Sequence, residues 1–361
     1  MNIHELLTYA SQQQASDIHL AAGEVPALRI DGEIRRLNSP ALTGEQAKTL
    51  ISSVMNEAQK TAFAQDFEVD FSIEVADLCR FRVNVFNKRG GLAGVFRVIP
   101  DEIIPLEDLD QPAVVREIAG YKKGLVLVTG ATGSGKSTTL AAILDHINRT
   151  RRQHILTIED PIEFVHQPRK CLINQRELGL HTKSFSAALR SALREDPDVI
   201  LIGEMRDLDT IQLALTAAET GHLVFATLHT RGAMDSVDRI IDAFPAAQQP
   251  QIRTQLANSL KAVISQELLP LKSGRGRVCA TEVMLVTHGI QNLIRESKVF
   301  QIPSLMQTSK GIGMQTFRQA LLTLVQTDKI SAEVAIETSG DAMLLEEDTI
   351  AGTGFHNRVN R

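Results

Sequence analysis

Eight consecutive residues, Gly130-Ala131-Thr132-Gly133-Ser134-Gly135-Lys136-Ser137, satisfy the spacing G-x-x-x-x-G-K-[ST], which is suited to holding a polyphosphate. Glycines at these offsets let successive backbone N–H groups turn toward one anion, and a helix starting at the lysine adds the positive end of its dipole. Lys136 can then reach the β- and γ-phosphates, and the Ser137 hydroxyl can ligate Mg2+. The flanks agree with this reading. Leu125 to Val128 is an unbroken apolar run, as in a strand buried on both faces, while Leu140, Ile143, Leu144 and Ile147 recur at i, i+3, i+4 and i+7. A plain surface turn carrying a lysine would need neither. The chain is therefore expected to bind ATP with Mg2+ through Gly130, Thr132, Gly133, Ser134, Gly135, Lys136, Ser137 and Thr138.

Hydrolysis of a γ-phosphoryl group needs a positioned water, a metal, and positive charge where negative charge accumulates. Two acid clusters follow apolar runs: Glu159-Asp160-Pro161-Ile162-Glu163 after 154–158, and Gly203-Glu204-Met205-Arg206-Asp207 after 199–202. Pro161 stops the first strand and turns the following residues toward the crevice at the strand ends. The second cluster is an apolar strand ending in an acid, the form of a Walker B element. Acids in such places also cap helices or meet solvent, so Glu163 and Glu204 carry two readings, of which a P-loop on the same sheet favours the chemical one. His222 and His229 bracket the run 223–228. Seven residues of strand span about 23 Å, so the two cannot share a metal ion. His229 falls at the carboxyl tip, where a γ-phosphate sensor would sit; an ordinary surface histidine is the alternative.

The elements that must position these groups fall in two textures. The first hundred residues alternate short helical and strand-like patterns: helices at 3–13, 43–55 and 58–66, strands at 16–22, 69–75, 79–86 and 92–98, and a hairpin at Asp31-Gly32. They predict an α/β domain over 1–98 with a largely antiparallel sheet. Pro100, Pro105 and Pro112 then punctuate an acidic, locally helical linker over 99–123. Beyond it, strands at 125–129, 154–158, 199–202 and 223–228 alternate with helices at 138–148, 185–194 and 209–219, the rhythm of a mostly parallel sheet covered by helices. Helices at 233–243 and 248–266, a hairpin around 272–277 and further helix complete an ATPase domain over 124–340. The Gly- and acid-rich stretch 341–361 is expected to be disordered.

With 43% hydrophobic and 22% charged residues the 361-residue chain has the composition of a globular protein, and its formal net charge of −5 gives nucleic acid no global attraction. Cys79, Cys171 and Cys279 are far apart, with no C-x-x-C or H-E-x-x-H spacing, which fits a reducing cytoplasm and no metal beyond nucleotide-bound Mg2+. The opening residues lack a basic region followed by a long apolar one, and no run approaches the length of a membrane span. Membrane association is expected to be peripheral only.

Taken in order, GATGSGKS, TIEDPIEFVH, LREDPDVILIGEMRD and TAAETGHLVFATLHT resemble the Walker A, Asp box, Walker B and His box of the secretion ATPase superfamily, and within it the retraction ATPases of type IV pili. ASDIHL at 15–20, RFRVNVF at 80–86, GIQNLIRE at 289–296 and GMQTF at 313–317 resemble further family segments. The resemblance covers about 1–340. It implies a PAS-like N-terminal domain joined to a RecA-like ATPase domain. It also implies a homohexameric ring at the cytoplasmic face of the inner membrane, acting on a membrane-embedded platform protein so that the pilus disassembles, and open to a paralogous retraction ATPase as a partner. By the same resemblance Glu163 is the general base, Glu204 helps hold Mg2+ through water, and His222 and His229 link nucleotide state to domain position. Arg82 and Arg97 would reach the triphosphate as arginine fingers, delocalised charge being suited to a transferring phosphoryl group. Alternation with Phe81, Val83, Phe86 and Phe96 equally describes the polar face of an ordinary sheet.

Two departures stand out. The family segment usually reads AIRNLIRE, so Gln291 replaces a basic residue, which bears on partner docking and not on hydrolysis; 341–361 matches no family pattern. Rival readings are an accessory retraction ATPase dependent on a primary motor, an assembly ATPase for pili or a type II secretion pseudopilus, and an adaptor ring that binds ATP without turning it over. An extra N-terminal domain and a tetracysteine zinc module, expected of assembly ATPases, are not found, and Lys136, Glu163 and Glu204 argue against the adaptor.

Overall fold

A computed structural model describes residues 2–30, 32–76, 78–99, 102–341 and 343–344. Most of 341–361, and with it the expectation of a disordered tail, lies outside the described residues. By contact the chain divides into two compact units, 1–103 with 161–165, and 104–160 with 166–361.

The first unit contains α1 (Ile3–Gln12), β1 (Asp17–Ala21), β2 (Ala27–Ile30), β3 (Glu33–Arg36), α2 (Gly44–Ser52), α3 (Glu57–Asp66), β4 (Glu68–Val75), β5 (Cys79–Lys88) and β6 (Gly91–Ile99). All three helices begin with a capping box, formed by Asn2 with Glu5, Thr43 with Gln46, and Asn56 with Gln59, in which cap side chain and third residue satisfy each other's backbone N–H. The strands form one sheet, ordered β3-β2-β1-β6-β5-β4, and every pairing is antiparallel. Alternation along β5 buries Cys79, Phe81, Val83 and Val85 and leaves Arg80, Arg82 and Asn84 on the other face.

The second unit contains α4 (Val114–Ala119), β7 (Gly124–Thr129), α5 (Lys136–Thr150), β8 (His154–Glu159), β9 (Leu172–Glu177), α6 (Phe185–Ala192), β10 (Val199–Ile202) and α7 (Leu208–Glu219). It continues with β11 (Leu223–Leu228), α8 (Ala233–Asp242), α9 (Gln249–Ser259), β12 (Leu260–Pro270), β13 (Arg277–Leu285), α10 (His288–Arg295), α11 (Ile302–Thr308), α12 (Phe317–Gln326) and α13 (Ala332–Ser339). Its sheet runs β13-β12-β7-β11-β10-β8-β9. Pairings are parallel except β12 with β13. β7, β10 and β11 are buried at every residue, as strands covered on both faces must be.

Two elements differ from the sequence expectation. The helix expected over 248–266 stops at Ser259, and Leu260–Pro270 is strand β12. Its apolar run finds β7 on one side and β13 on the other, and that pairing overrides the helical spacing. β9 was not anticipated, because Leu172-Ile173-Asn174-Gln175-Arg176-Glu177 is a largely polar edge strand with little alternation to read.

Residues 104–123 are folded with the second unit: Leu106, Val114, Val115, Ile118 and Ala119 are buried among the side chains of α5 and β7. Glu107 fastens this stretch to α5, accepting from Arg149 at 3.0 Å and meeting the ring of His146 at 3.1 Å. Among the described residues no helix is long and apolar enough to cross a membrane.

The Glu107 carboxyl is held down at about 2 by its own backbone N–H and by Arg149, against the opposing effect of burial and with a lesser contribution from His146. A depressed folded-state pKa contributes stability above the unfolded value, and that contribution is lost as pH falls through the folded value. Glu107→Gln should therefore cost less than about 1 kcal/mol at neutral pH, the pair being partly solvated. In urea unfolding the gap from wild type should close as pH drops from about 4.5 toward about 2; a gap independent of pH would contradict this assignment.

Candidate functional site

β7 ends at Thr129 and α5 starts at Lys136, so six residues make the loop between them. Gly130 has φ +140°, and a Cβ there would lie 2.3 Å from the carbonyl oxygen of Gln266. That neighbour is backbone and cannot move aside, so only glycine fits. Gly135, at φ +89°, is the N-cap of α5 and offers no side-chain cap, leaving the helix start to an external anion. Lys136 is buried and folds back on the loop, its Nζ donating to Gly130 O at 2.8 Å and Ala131 O at 2.9 Å. Ser134 is 4% exposed and its Oγ has no hydrogen-bond partner among the described residues. A buried hydroxyl without a partner is costly. An orphaned hydroxyl, a lysine resting on carbonyls and an uncapped helix start in one loop fit a polyphosphate.

Behind the loop, Thr139 Oγ1 accepts from Gln266 Nε2 at 2.9 Å and from Gln111 Nε2 at 3.4 Å, and Gln111 Oε1 accepts from Thr281 Oγ1 at 3.0 Å. Three distant segments thus converge on the first turns of α5. On the other face of β12, the hydroxyls of Ser265 and Thr129 meet at 2.8 Å.

Parallel register brings the carboxyl ends of β7, β11, β10 and β8 side by side, with Thr129 level with Leu228 and Ile202 level with both Ala226 and Ile158. Glu204 follows β10 and His229 follows β11. Gly203 N donates to Ile158 O at 2.8 Å, Met205 N donates to Thr227 O at 3.2 Å, and the Thr227 hydroxyl donates to Gly203 O, which fixes the turn that carries Glu204. The Glu204 carboxylate lies 2.7 Å from Arg206 Nη2 and 3.3 Å from His229 Nε2. Burial pushes its pKa up, but Arg206 and His229 outweigh that and the net shift is down, so the group stays ionised and able to hold a cation. Asp207 is structural: it caps α7 by accepting from the backbone N and the hydroxyl of Thr210, both at 2.8 Å.

At the end of β8, Glu159 is buried and accepts from Thr157 Oγ1 at 2.6 Å and Gln175 Nε2 at 3.2 Å. The other end of the same amide, Gln175 Oε1, accepts from His166 N at 2.8 Å. Gln175 therefore brackets the stretch 160–165, in which Glu163 is exposed. Residues 161–165 group with the first unit.

In the first unit Arg82 and Arg97 are directly opposite on β5 and β6. Arg82 binds the Asp70 carboxylate at 2.6 Å, and Arg97 Nε binds the buried Asp17 at 2.8 Å. Both guanidinium groups remain partly in solvent, with side-chain exposures of 37% and 63%. His222 is placed apart from His229. It stands at the amino end of β11, its carbonyl accepting from Gly124 N and its Nδ1 3.0 Å from Ala217 O at the end of α7.

The second unit thus brings together the loop, Glu204 and His229. Sequence reasoning missed Arg206 as the partner of Glu204, as well as Gln175, Gln266, Gln111 and Thr139. Gln175 and Gln266 sit in strands that were not anticipated, and a lone glutamine or threonine carries no motif, so no sequence signal could have found them.

The family model for the type II/IV secretion system protein matches residues 1–273. The chain is 54% identical over 337 residues to the type IV pilus retraction ATPase PilT of Pseudomonas aeruginosa, covering 93% of this chain and 98% of that protein. It is 53% identical over 334 residues to a twitching motility protein of Neisseria gonorrhoeae, covering 92% and 89%. A crystal structure of the pilus retraction motor PilT with bound ADP superposes with a TM-score of 0.89 at 50% identity, covering 96% of this chain and 99% of that one. The chain belongs to the type II/IV secretion system protein family and stands there with the type IV pilus retraction ATPases.

Proposed function

We propose that the chain is a mechanochemical ATPase that powers type IV pilus retraction as a homohexameric ring of two-domain subunits, PAS-like over 1–98 and RecA-like over 124–340. The observation that carries the chemistry is the convergence of the phosphate loop, an ionised Glu204 and His229 at one edge of a parallel sheet. The direction of work rests on near-full-length identity to retraction ATPases.

ATP would place its β- and γ-phosphates in the 130–135 loop, where Lys136 exchanges the carbonyls of Gly130 and Ala131 for phosphate oxygens and Ser134 gains a partner. Ser137 and Glu204 would hold Mg2+, the latter through water; when bound, the ion neutralises charge on the phosphate oxygens. Glu163 orients the attacking water and takes its proton. Arg82 and Arg97, exchanging Asp70 and Asp17 for phosphate oxygens, act as arginine fingers that stabilise charge on the transferring group. His222 and His229 link nucleotide state to domain position. For this to yield motion, ATP must contact the open and closed states differently, since a ligand bound equally to both shifts nothing.

The ring works in the cytoplasm against the inner membrane, on a platform protein at the pilus base, and a paralogous retraction ATPase is a candidate partner. Gln291 leaves a second reading open, an accessory motor. It replaces a basic residue and hydrogen-bonds with His288 at 3.1 Å.

Glu163→Gln should keep ATP binding and lose hydrolysis by roughly a hundredfold or more, the usual range for removing a general base. Full turnover by that variant in purified, assembled protein would place the base elsewhere. Arg82→Ala should lower turnover by about a thousandfold where the finger role holds, and unchanged turnover in assembled rings would remove it.

A further inference from the structure

The turn carrying His229 leads directly into α8, and α8 lacks a cap of its own. Its N-cap residue is Gly232, which has no side-chain oxygen to offer the first-turn N–H groups. The missing acceptor comes from 49 residues away: Ala233 N donates to Glu282 Oε1 at 2.8 Å. The other carboxylate oxygen, Oε2, accepts from Phe317 N at the start of α12, at 3.1 Å. α12 does not depend on this bond, because Thr316 and Gln319 already form a capping box there. α8 has only the Ser236 hydroxyl, which donates to Gly232 O and meets Thr230 Oγ1, both at 2.6 Å.

Glu282 also lies in one register row with the strand that delivers the phosphate loop. On β13 it stands opposite Ser265 of β12, which stands opposite Thr129, the last residue of β7 before the loop. The joined hydroxyls of Ser265 and Thr129 make the middle of that row. Four residues, 229–232, separate the end of β11 from α8, so the start of α8 determines where His229 can stand relative to Glu204. Burial, joined by the nearby Asp235 carboxylate, pushes the Glu282 pKa up, and the N–H bonds from Ala233 and Phe317 oppose this.

We infer that Glu282 is a positioning residue for ATP hydrolysis: by capping α8 from β13 it holds the His229 turn against Glu204, in register with the phosphate loop. The inference rests on the reading of Glu204 and His229 as groups that face the nucleotide. It adds a residue outside every motif of the sequence, and it couples the His229 turn to the start of α12 through one carboxylate.

The test measures MgATP turnover by the full-length, assembled protein for wild type, Glu282→Ala, Glu282→Ala combined with Gly232→Ser, and His229→Ala. Gly232 has φ −164°, which any residue adopts, and the atom a Cβ there would meet is Glu282 Oε1 at 3.3 Å, which the alanine removes. Serine at 232 can therefore restore a local cap. Glu282→Ala should lower kcat by roughly tenfold to a hundredfold, as misplacement of about 1 Å does. KM for ATP should hold, because the phosphate loop is untouched, and serine at 232 should recover kcat. Should Glu282→Ala not fold, Glu282→Met, which keeps about the same volume and removes both acceptor oxygens, should show the same split between kcat and KM. Unchanged kcat in the Glu282 variant alongside loss in His229→Ala would overturn the inference and leave the reading of His229 intact. A loss that serine at 232 does not recover would overturn it as well. Full turnover by His229→Ala would remove the reading on which it rests.

Discussion

A side chain has no room at Gly130, where a Cβ would stand 2.3 Å from the Gln266 carbonyl oxygen. The phosphate loop passes over β12 so closely that bare backbone is the only solution, and the rest of the second unit follows from keeping it there. β7 must deliver the chain to that point, so it is buried on both faces between β11 and β12. β12 must be strand and not helix, because its residue 265 holds Thr129 while residue 266 holds Thr139 on the opposite face. α5 must start without a cap of its own, so that the positive end of its dipole and the Lys136 ammonium face a ligand.

The same economy governs the carboxylates. A hydrogen bond contributes only about 1 kcal/mol net, whereas a buried polar group left unmatched costs about 1–3 kcal/mol. Networks such as Gln266–Thr139–Gln111–Thr281 and Glu159–Gln175–His166 N therefore add little to gross stability while admitting few alternative geometries. The acids sort by partner. Asp207 is committed to capping α7, Glu159 is enclosed by Thr157 and Gln175, and Glu204 rests on Arg206 and His229. Arg206 is 70% exposed at its side chain, so Glu204 can turn from it to a cation without breaking a buried network.

Elements whose residues speak for themselves were legible in the sequence. Leu125 to Val128 and Val199 to Ile202 are apolar throughout and Leu223 to Leu228 apolar but for Thr227, and each is a central strand at or within a residue of the bounds read from it. The glycine spacing of the loop carried its geometry as well as its chemistry. What escaped was whatever depends on partners distant in sequence. β12 reads as helix until β7 and β13 lie on either side of it, and β9 is a polar edge strand with no alternation to detect. Gln175 and Gln266 went unnoticed because they sit in those strands. The cap of α8 was invisible for a related reason: local rules look for it at Gly232, and it comes from Glu282. The separation of His222 from His229 was readable from the strand between them, and the structure puts them at opposite ends of β11.

A retraction motor must spend ATP to shorten a fibre, and cells report the sign of that work. Surface pili counted in a strain lacking this gene, complemented with wild type or with Glu163→Gln, would test it most directly. The account predicts excess pili in the deletion and in the Glu163→Gln strain, corrected only by wild type. Bald cells in the deletion strain would contradict it and make the chain an assembly motor.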